Sequence, residues 1–313
     1  MIKDEAIENL KRFYNLSNPS KEDIFLYEES LKYLIDTENN VWTMCELAGH
    51  YNEMKDFKME LKYYEMAAIE GELQKKEIDE ILAYEKRTFD PIEYANVGLG
   101  YIYYYGQAGE KNYEKAFKAF SKAAERGSHE AEYKLADMYK NGYYVEKDMD
   151  KFTELIEELY KWVKSARRPD HVPEIISRMG MVREYQGKKD EALKYYLEAR
   201  TNLEYSLYKY HYWGHMSIMQ RLIDNIYALK DFDESEMNLY DLFYVLKKSC
   251  LVTFKCDGDS YEVEAVKEED GMGYRFGDKW YRDISSMIMK SKLGFDDLIS
   301  NYDELYSFEV IYK

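Results

Sequence analysis

His211 and His215 stand four residues apart around Tyr212-Trp213-Gly214, a spacing that puts two imidazoles on one face if the segment is a continuous helix. Many zinc sites begin this way. No glutamate follows the first histidine, however, and a third ligand would have to come from another helix. The pair is therefore read as a packed or exposed face. Gly98-x-Gly100 and Gly271-Met272-Gly273 have the glycine density of phosphate loops. The first falls inside a helical pattern, and the second lacks both a following Lys-Ser/Thr and a βαβ setting. Carboxylates are paired at Glu157-Glu158, Glu268-Glu269-Asp270 and Asp296-Asp297. Solvated faces and turns produce such pairs, and none comes with a positioned partner that would tune a catalytic acid. No nucleophile-elbow sequence occurs. Cys45, Cys250 and Cys256 match no metal spacing and read as buried thiols in a reducing compartment. The residues that could do chemistry thus predict no catalytic residue, no cofactor and no metal site.

The composition narrows the remaining classes. The 313 residues carry a net charge of −17, which argues against binding a phosphate backbone and favours steering towards basic partners. Tyrosine is the outlier, at 34 copies against 13 Phe and 4 Trp. It packs as an aromatic yet keeps a hydroxyl, which suits half-buried helix seams and recognition surfaces. The start of the chain, MIKDEAIENLKRFYNL, has no apolar signal core, and no run approaches membrane-spanning length. A cytoplasmic protein with no membrane partner is expected.

Four prolines and 16 glycines leave few breaks, so helices must position most side chains. Helical periodicity places elements at 3–15, 21–36, 40–54, 57–70 and 73–87, with Ser20 as an N-cap and Asp23 in the N3 place. Asp90-Pro91 opens a further helix, with Glu93 placed to complete a capping box. The segment IYALKDFDESEMNLYDLF keeps a helix–turn–helix form. After Lys248 the period changes. LVTFKC and YEVEAVK alternate as strands around Asp257-Gly258-Asp259, followed by YRF, WYRDI, a short helix near 283–292, another at 295–303, and a last strand FEVIY. This part holds 14 acidic against 8 basic residues from position 251 on. The expected division is a helical-repeat domain at 1–250 and a small α+β domain or cap at 251–313.

Two stretches keep one register at a spacing of 36: Ala95 with Ala131, Leu99 with Leu135, Tyr103 with Tyr139, Gly106 with Gly142, Lys115 with Lys151. Small residues at Ala95, Gly98, Gly100, Ala116, Ala119, Ala123 and Ala124 let paired helices approach closely, while Leu99, Ile102, Tyr103 and Phe120 fill the grooves beside them. The spacing of Ala95, Leu99-Gly100, Tyr103, Gly106, Ala116, Ala123-Ala124 and Gly127 resembles the Sel1-like repeat, a relative of the tetratricopeptide repeat. The clearest copies are 93–128 and 129–160. The register lapses at Phe152, Leu159 and Tyr160, where the family has alanines and this chain has side chains too large for the usual close approach. Looser tetratricopeptide spacing persists at Gly180, Ala192, Tyr196 and Ala199, and at Ala48, Tyr64 and Ala67.

The resemblance implies a mainly α fold, an α-α superhelix of solenoid type, whose first helices line a concave groove. It also implies a non-catalytic scaffold or adaptor that binds a protein or peptide. The acidic charge favours a basic one. Residues of the first helices outside the seam become the recognition candidates: Asn96, Tyr101, Tyr104 and Tyr105 from one copy, and Glu132, Tyr133, Asp137 and Lys140 from the next. Three other readings stand beside this one. They are an immunity-type neutraliser of a basic toxin, a peptide-sensing regulator, and an enzyme with its site in the C-terminal part near His211 and Trp280.

Overall fold

The computed structural model describes residues 1–166, 171–269, 271–294 and 296–313. The chain divides into two compact units, Met1–Leu155 and Ile156–Lys313. The N-terminal region is a solenoid-like array of helices, and an α+β part with two small sheets follows it.

The first unit contains α1 (Lys3–Tyr14), α2 (Lys21–Glu38), α3 (Val41–Glu53), α4 (Phe57–Leu73), α5 (Lys75–Glu85), α6 (Pro91–Tyr105), α7 (Tyr113–Glu125) and α8 (His129–Asn141). The start of α9 (Met149–Ser165) also belongs to it. Local chemistry sets the boundaries. Ser20 accepts the Asp23 N–H while the Asp23 carboxylate accepts the Ser20 N–H, a reciprocal box that opens α2. Asn40, Asp56, Asn112 and Ser128 cap α3, α4, α7 and α8. Gly106 and Gly142 end α6 and α8 in the left-handed region, at φ 70° and 71°. Asp90 caps α6 by accepting from Ile92 and Glu93, with Pro91 in the first turn. The capping box expected of Glu93 is not made. That carboxyl is drawn instead to Ser128, and burial raises its pKa. Arg126 ties the same corner, reaching Asp90 at 2.5 Å and Asp79 at 2.7 Å.

Helices pair as α1–α2, α3–α4 and α6–α7, and α4 packs directly on α6, which leaves α5 as a side excursion burying only Ile78. The glycines inside α6 explain how close these pairings are. A Cβ on Gly98 would lie 2.4 Å from the Tyr64 ring, and one on Gly100 would lie 2.4 Å from the Phe120 ring. The spacing read as helix packing and not as a phosphate loop is thus a pair of backbone-to-ring contacts.

In the second unit α10 (Val172–Tyr185) packs on α11 (Lys189–Tyr210), and α11 on α12 (Gly214–Leu229). The helix expected after α12 is replaced by two 3-10 turns at Glu234–Glu236 and Leu239–Asp241 and a four-residue α13 (Leu242–Val245). Asp233 and Asn238 cap the two turns, and their side chains compete with continued helix for the backbone N–H groups. Asp241 is fully buried and accepts from Arg200 at 2.9 Å, Tyr227 at 2.8 Å and the Asn238 N–H at 2.9 Å.

Five antiparallel strands follow: β1 (Cys250–Cys256), β2 (Asp259–Glu268), β3 (Gly271–Phe276), β4 (Lys279–Tyr281) and, at the end of the chain, β7 (Tyr306–Tyr312), in the order β4-β3-β2-β1-β7. Two-residue strands β5 (Lys292–Leu293) and β6 (Asp296–Asp297) follow α14 (Ile284–Lys290). The expected helix at 295–303 is a 3-10 turn at Leu298–Asn301, and its first expected residue, Phe295, lies outside the described residues, as does Asp270 of the expected acidic run. Along β7 the N–H of Lys313 reaches the carbonyl of Ser249 on the β1 side. The N–H of Val310 points the other way, to the Glu234 carboxylate at 2.6 Å. Sheet and helices share one core: Leu203 and Leu207 of α11, Ile223 and Ile226 of α12, and Val252 and Phe254 of β1 belong to a single buried cluster.

Candidate functional site

The face of α6 that does not enter the helix seam is built of tyrosine. Ile92, Ala95, Leu99 and Ile102 are buried against the preceding helices, so Val97, Tyr101, Tyr104 and Tyr105 turn towards α7 and α8. This follows from helical spacing, since positions 97, 101, 104 and 105 recur at intervals of about one turn. Tyr101 and Tyr105 stack with ring centroids 5.9 Å apart, and Tyr104 meets Tyr105 edge-on at 5.0 Å. Tyr104 also meets Tyr113 and Tyr143, which stack on each other at 4.3 Å. The Tyr101 hydroxyl donates to Glu130 and lies 3.0 Å from the Tyr133 hydroxyl. Burial, with Tyr133 and Glu130 adding to it, drives the Tyr101 pKa far above the ordinary phenol range, so the ring stays neutral. Burial and the Asp137 charge push Tyr104 the same way.

Of the eight expected recognition residues, the structure brings Tyr101, Tyr104, Tyr105 and Tyr133 into one cluster. Tyr105 is half exposed and Tyr133 is buried. Asp137 is buried on the same helix as Tyr133. Glu132 is partly exposed and pairs with His129 at 2.9 Å. Lys140 sits over the Phe152 ring at 5.8 Å. Asn96 lies inside the helix seam at 2% exposure, its amide donating to the Ile92 carbonyl at 2.7 Å.

Sequence reasoning passed over Lys134. Its side chain is buried, and its ammonium lies 4.9 Å from the Tyr101 ring centroid, 5.6 Å from Tyr104, 5.4 Å from Tyr105 and 5.2 Å from Tyr133. It donates one hydrogen bond, to the Tyr105 hydroxyl at 3.1 Å. Among the described residues no carboxylate lies within ion-pair distance of it. The repeat register held a signal, because Lys134 occupies the place of Gly98 in the preceding copy, a position closed to any side chain there. A desolvated ammonium over aromatic faces gains about 2 kcal/mol or more, which offsets the cost of burying it without a counter-ion.

The other expected chemistry comes apart. His211 is the left-handed C-cap of α11 (φ 50°), and His215 lies in the first turn of α12, so the two do not share a helical face as four-residue spacing suggested. Each has its own partner. His211 meets Ser300 at 3.2 Å, and His215 bridges Ser206 at 2.9 Å and Glu174 at 3.5 Å. Burial alone would raise the Glu174 pKa, but hydrogen bonds from His171 and His215 outweigh it and hold that carboxyl far below its usual range. Cys45 is buried on α3, with its thiol on the Pro91 carbonyl at 3.3 Å, and burial raises its pKa. The three cysteines are unpaired. Cys256, Asp257 and Glu304 are close enough to one another to share an ion, but the two carboxylates are exposed and none of the three is otherwise aimed at a ligand.

The Sel1 repeat family model matches residues 93–128 and 129–151, the helices that carry this tyrosine cluster. Residues 93–151 thus carry Sel1 repeats. The match stops one residue before Phe152, where the register was read to lapse, and the division between the two units follows at Leu155–Ile156. Among solved structures the repeat protein is similar to a Sel1 repeat protein from Oxalobacter formigenes, at 14% identity over 77% of this chain and 90% of that one, with a TM-score of 0.42. A tetratricopeptide repeat protein from Parabacteroides merdae is similar at 14% identity over 77% and 84% of the two chains, with a TM-score of 0.43. The c5321 protective antigen of uropathogenic Escherichia coli, which displays the SLR fold, is similar at 14% identity over 78% of this chain and 53% of that one, with a TM-score of 0.38. No curated protein sequence matches the chain. Helical repeats of this type are suited to protein or peptide binding. Among the described residues no helix is long and apolar enough to cross a membrane.

Proposed function

We propose that the tyrosine surface of α6 and α8 binds a protein or peptide partner that presents basic side chains. The observation that supports this most directly is the clustering of Tyr101, Tyr104 and Tyr105, with the Glu130 carboxylate accepting from the Tyr101 hydroxyl. Tyrosine supplies contact area at low entropic cost together with a hydroxyl, and carboxylates nearby raise the encounter rate of a basic partner. Tyr105 and Glu132 form the accessible rim. Tyr101, Tyr104, Tyr133, Asp137 and Lys140 back it, and Asn96 acts only by holding α6 in place. In this reading residues 1–250 are the repeat domain, and 251–313 close its end, as their sharing of a core with α11 and α12 supports. A cytoplasmic setting fits three unpaired, buried thiols.

Affinity capture with the intact chain tests the reading when wild type is compared with Glu132→Lys and Tyr105→Ser. Both substitutions fall on partly exposed side chains and leave the buried Asp137 untouched. A partner retained by wild type should be lost at least about tenfold from each variant, since central interface residues contribute about 1–2 kcal/mol or more. A partner held equally well by all three removes this surface from the function.

A further inference from the structure

We propose that the four tyrosines around Lys134 form a cation subsite that this lysine fills in the free protein, and that a lysine side chain of the bound partner takes over by displacing it. The inference rests on the groove reading above and names the chemistry of one of its contacts. Four ring centroids stand 4.9–5.6 Å from the ammonium, and Tyr105 adds its hydroxyl at 3.1 Å. That is the arrangement by which aromatic faces select a cation over a neutral group of the same size. The occupant fits it incompletely. An ammonium has three donors, one of which is matched by the Tyr105 hydroxyl, and no carboxylate of the described residues pairs with it. Repeat packing does not demand a lysine at this place either, since the preceding copy has Gly98 there.

Tyr105, which is half exposed, forms the outer wall, and the four-carbon stem of Lys134 is long enough to carry its ammonium into water. Exchange of one ammonium for another keeps every ring contact and the Tyr105 hydrogen bond, while the displaced Lys134 recovers full hydration. The exchange therefore costs little for a cationic side chain. A neutral one would have to expel a charge without replacing it. The device thus rejects uncharged residues more than it adds affinity.

Choline and its uncharged isostere 3,3-dimethylbutan-1-ol, titrated into the full chain at constant ionic strength, test the subsite. In the wild-type protein the Lys134 ε-methylene protons lie in the ring currents of four tyrosines and should move towards free-lysine positions as choline is added, but not with the neutral isostere. Lys134→Ala should bind choline at least tenfold more tightly than wild type, and Tyr105→Ala in that background should remove the gain. A folded Lys134→Ala protein with no gain, or equal binding of the neutral isostere, overturns the proposal. If Lys134→Ala does not fold, the wild-type titration decides alone, and unmoved ε-methylene resonances at saturating choline overturn it. A protein that fails here but captures its partner through Glu132 and Tyr105 loses the subsite and keeps the groove. One that responds here and captures nothing loses the groove alone.

Discussion

Replacing Gly100 with alanine sets two opposed effects against each other, and the structure decides which wins. In an isolated helix the change favours folding by about 1 kcal/mol, because glycine has the poorer helix propensity. In α6 the added Cβ would lie 2.4 Å from one carbon of the Phe120 ring and 2.5 Å from another, and Phe120 is fully buried. Such overpacking costs about 1–3 kcal/mol, and a rigid ring held on all sides places it near the upper end. The expected net result is a loss of about 1–2 kcal/mol, from the overpacking cost less the propensity gain. The repeat register also supplies a repair. The residues at the 36-residue spacing from Gly100 and Phe120 are Ala136 and Ile156, so where the first copy has Gly and Phe the sequence of the second has Ala and Ile. Gly100→Ala with Phe120→Ile should therefore be more stable than the sum of the single changes, by about 1 kcal/mol or more of coupling. Urea unfolding of the four proteins gives the coupling, and hydrogen exchange read by mass spectrometry shows whether α6 and α7 lose protection first. A Gly100→Ala protein as stable as wild type, or strict additivity with Phe120→Ile, would refute the close-contact account of the repeat.

Other expectations follow from single residues. Asp241→Ala should cost about 3 kcal/mol, the lower end for a broken buried pair, because the Arg200 guanidinium loses Asp241 but keeps Glu204 at 2.8 Å; urea unfolding should show a much smaller loss for the double change Asp241→Leu with Arg200→Met. The Glu174 carboxyl has its folded pKa depressed, so its contribution is fully present above the unfolded value of about 4.3 and is lost as pH falls below it. Urea midpoints measured from pH 7 down to 3 should therefore drop more steeply for wild type than for Glu174→Gln. Asn96→Leu should lower thermal stability through a misfit on the buried face of α6 and loss of its bond to the Ile92 carbonyl, without touching partner binding, which calorimetry and capture measure separately.

Much of the helical array was legible in the chain because its signals are local. Caps at Ser20 and Asp90, breaks at Gly106 and Gly142, and the small residues at Gly98 and Gly100 each act through neighbours a turn or a helix away. The strands from Cys250 to Phe276 were equally readable from their alternation and the Asp257-Gly258 turn. What stayed hidden depends on distant residues. The helix–turn–helix expected in this segment gives way to two 3-10 turns around Asp241, whose carboxylate meets Arg200 41 positions earlier. His211 and His215 look like a pair until a helix end falls between them. At the proposed recognition surface the tyrosines of α6 could be nominated from helical spacing, but spacing alone also nominated Asn96, which is buried. Lys134 was missed because a lysine in sequence reads as solvated. Only the convergence of rings from α6 and α8 gives it a place indoors.

The bond between Glu234 and Val310 has a consequence for how this protein keeps to itself in solution. β7 is an open edge of the sheet, and its sequence YSFEVIY has the aromatic and branched character of a strand that pairs readily with another chain. The carboxylate of Glu234 occupies the outward N–H that a stranger's carbonyl would seek. One acidic side chain outside the sheet thus acts as a stopper on its growth. Glu234→Ala should leave the fold intact and yet sediment as larger species at concentrations where the parent stays dispersed.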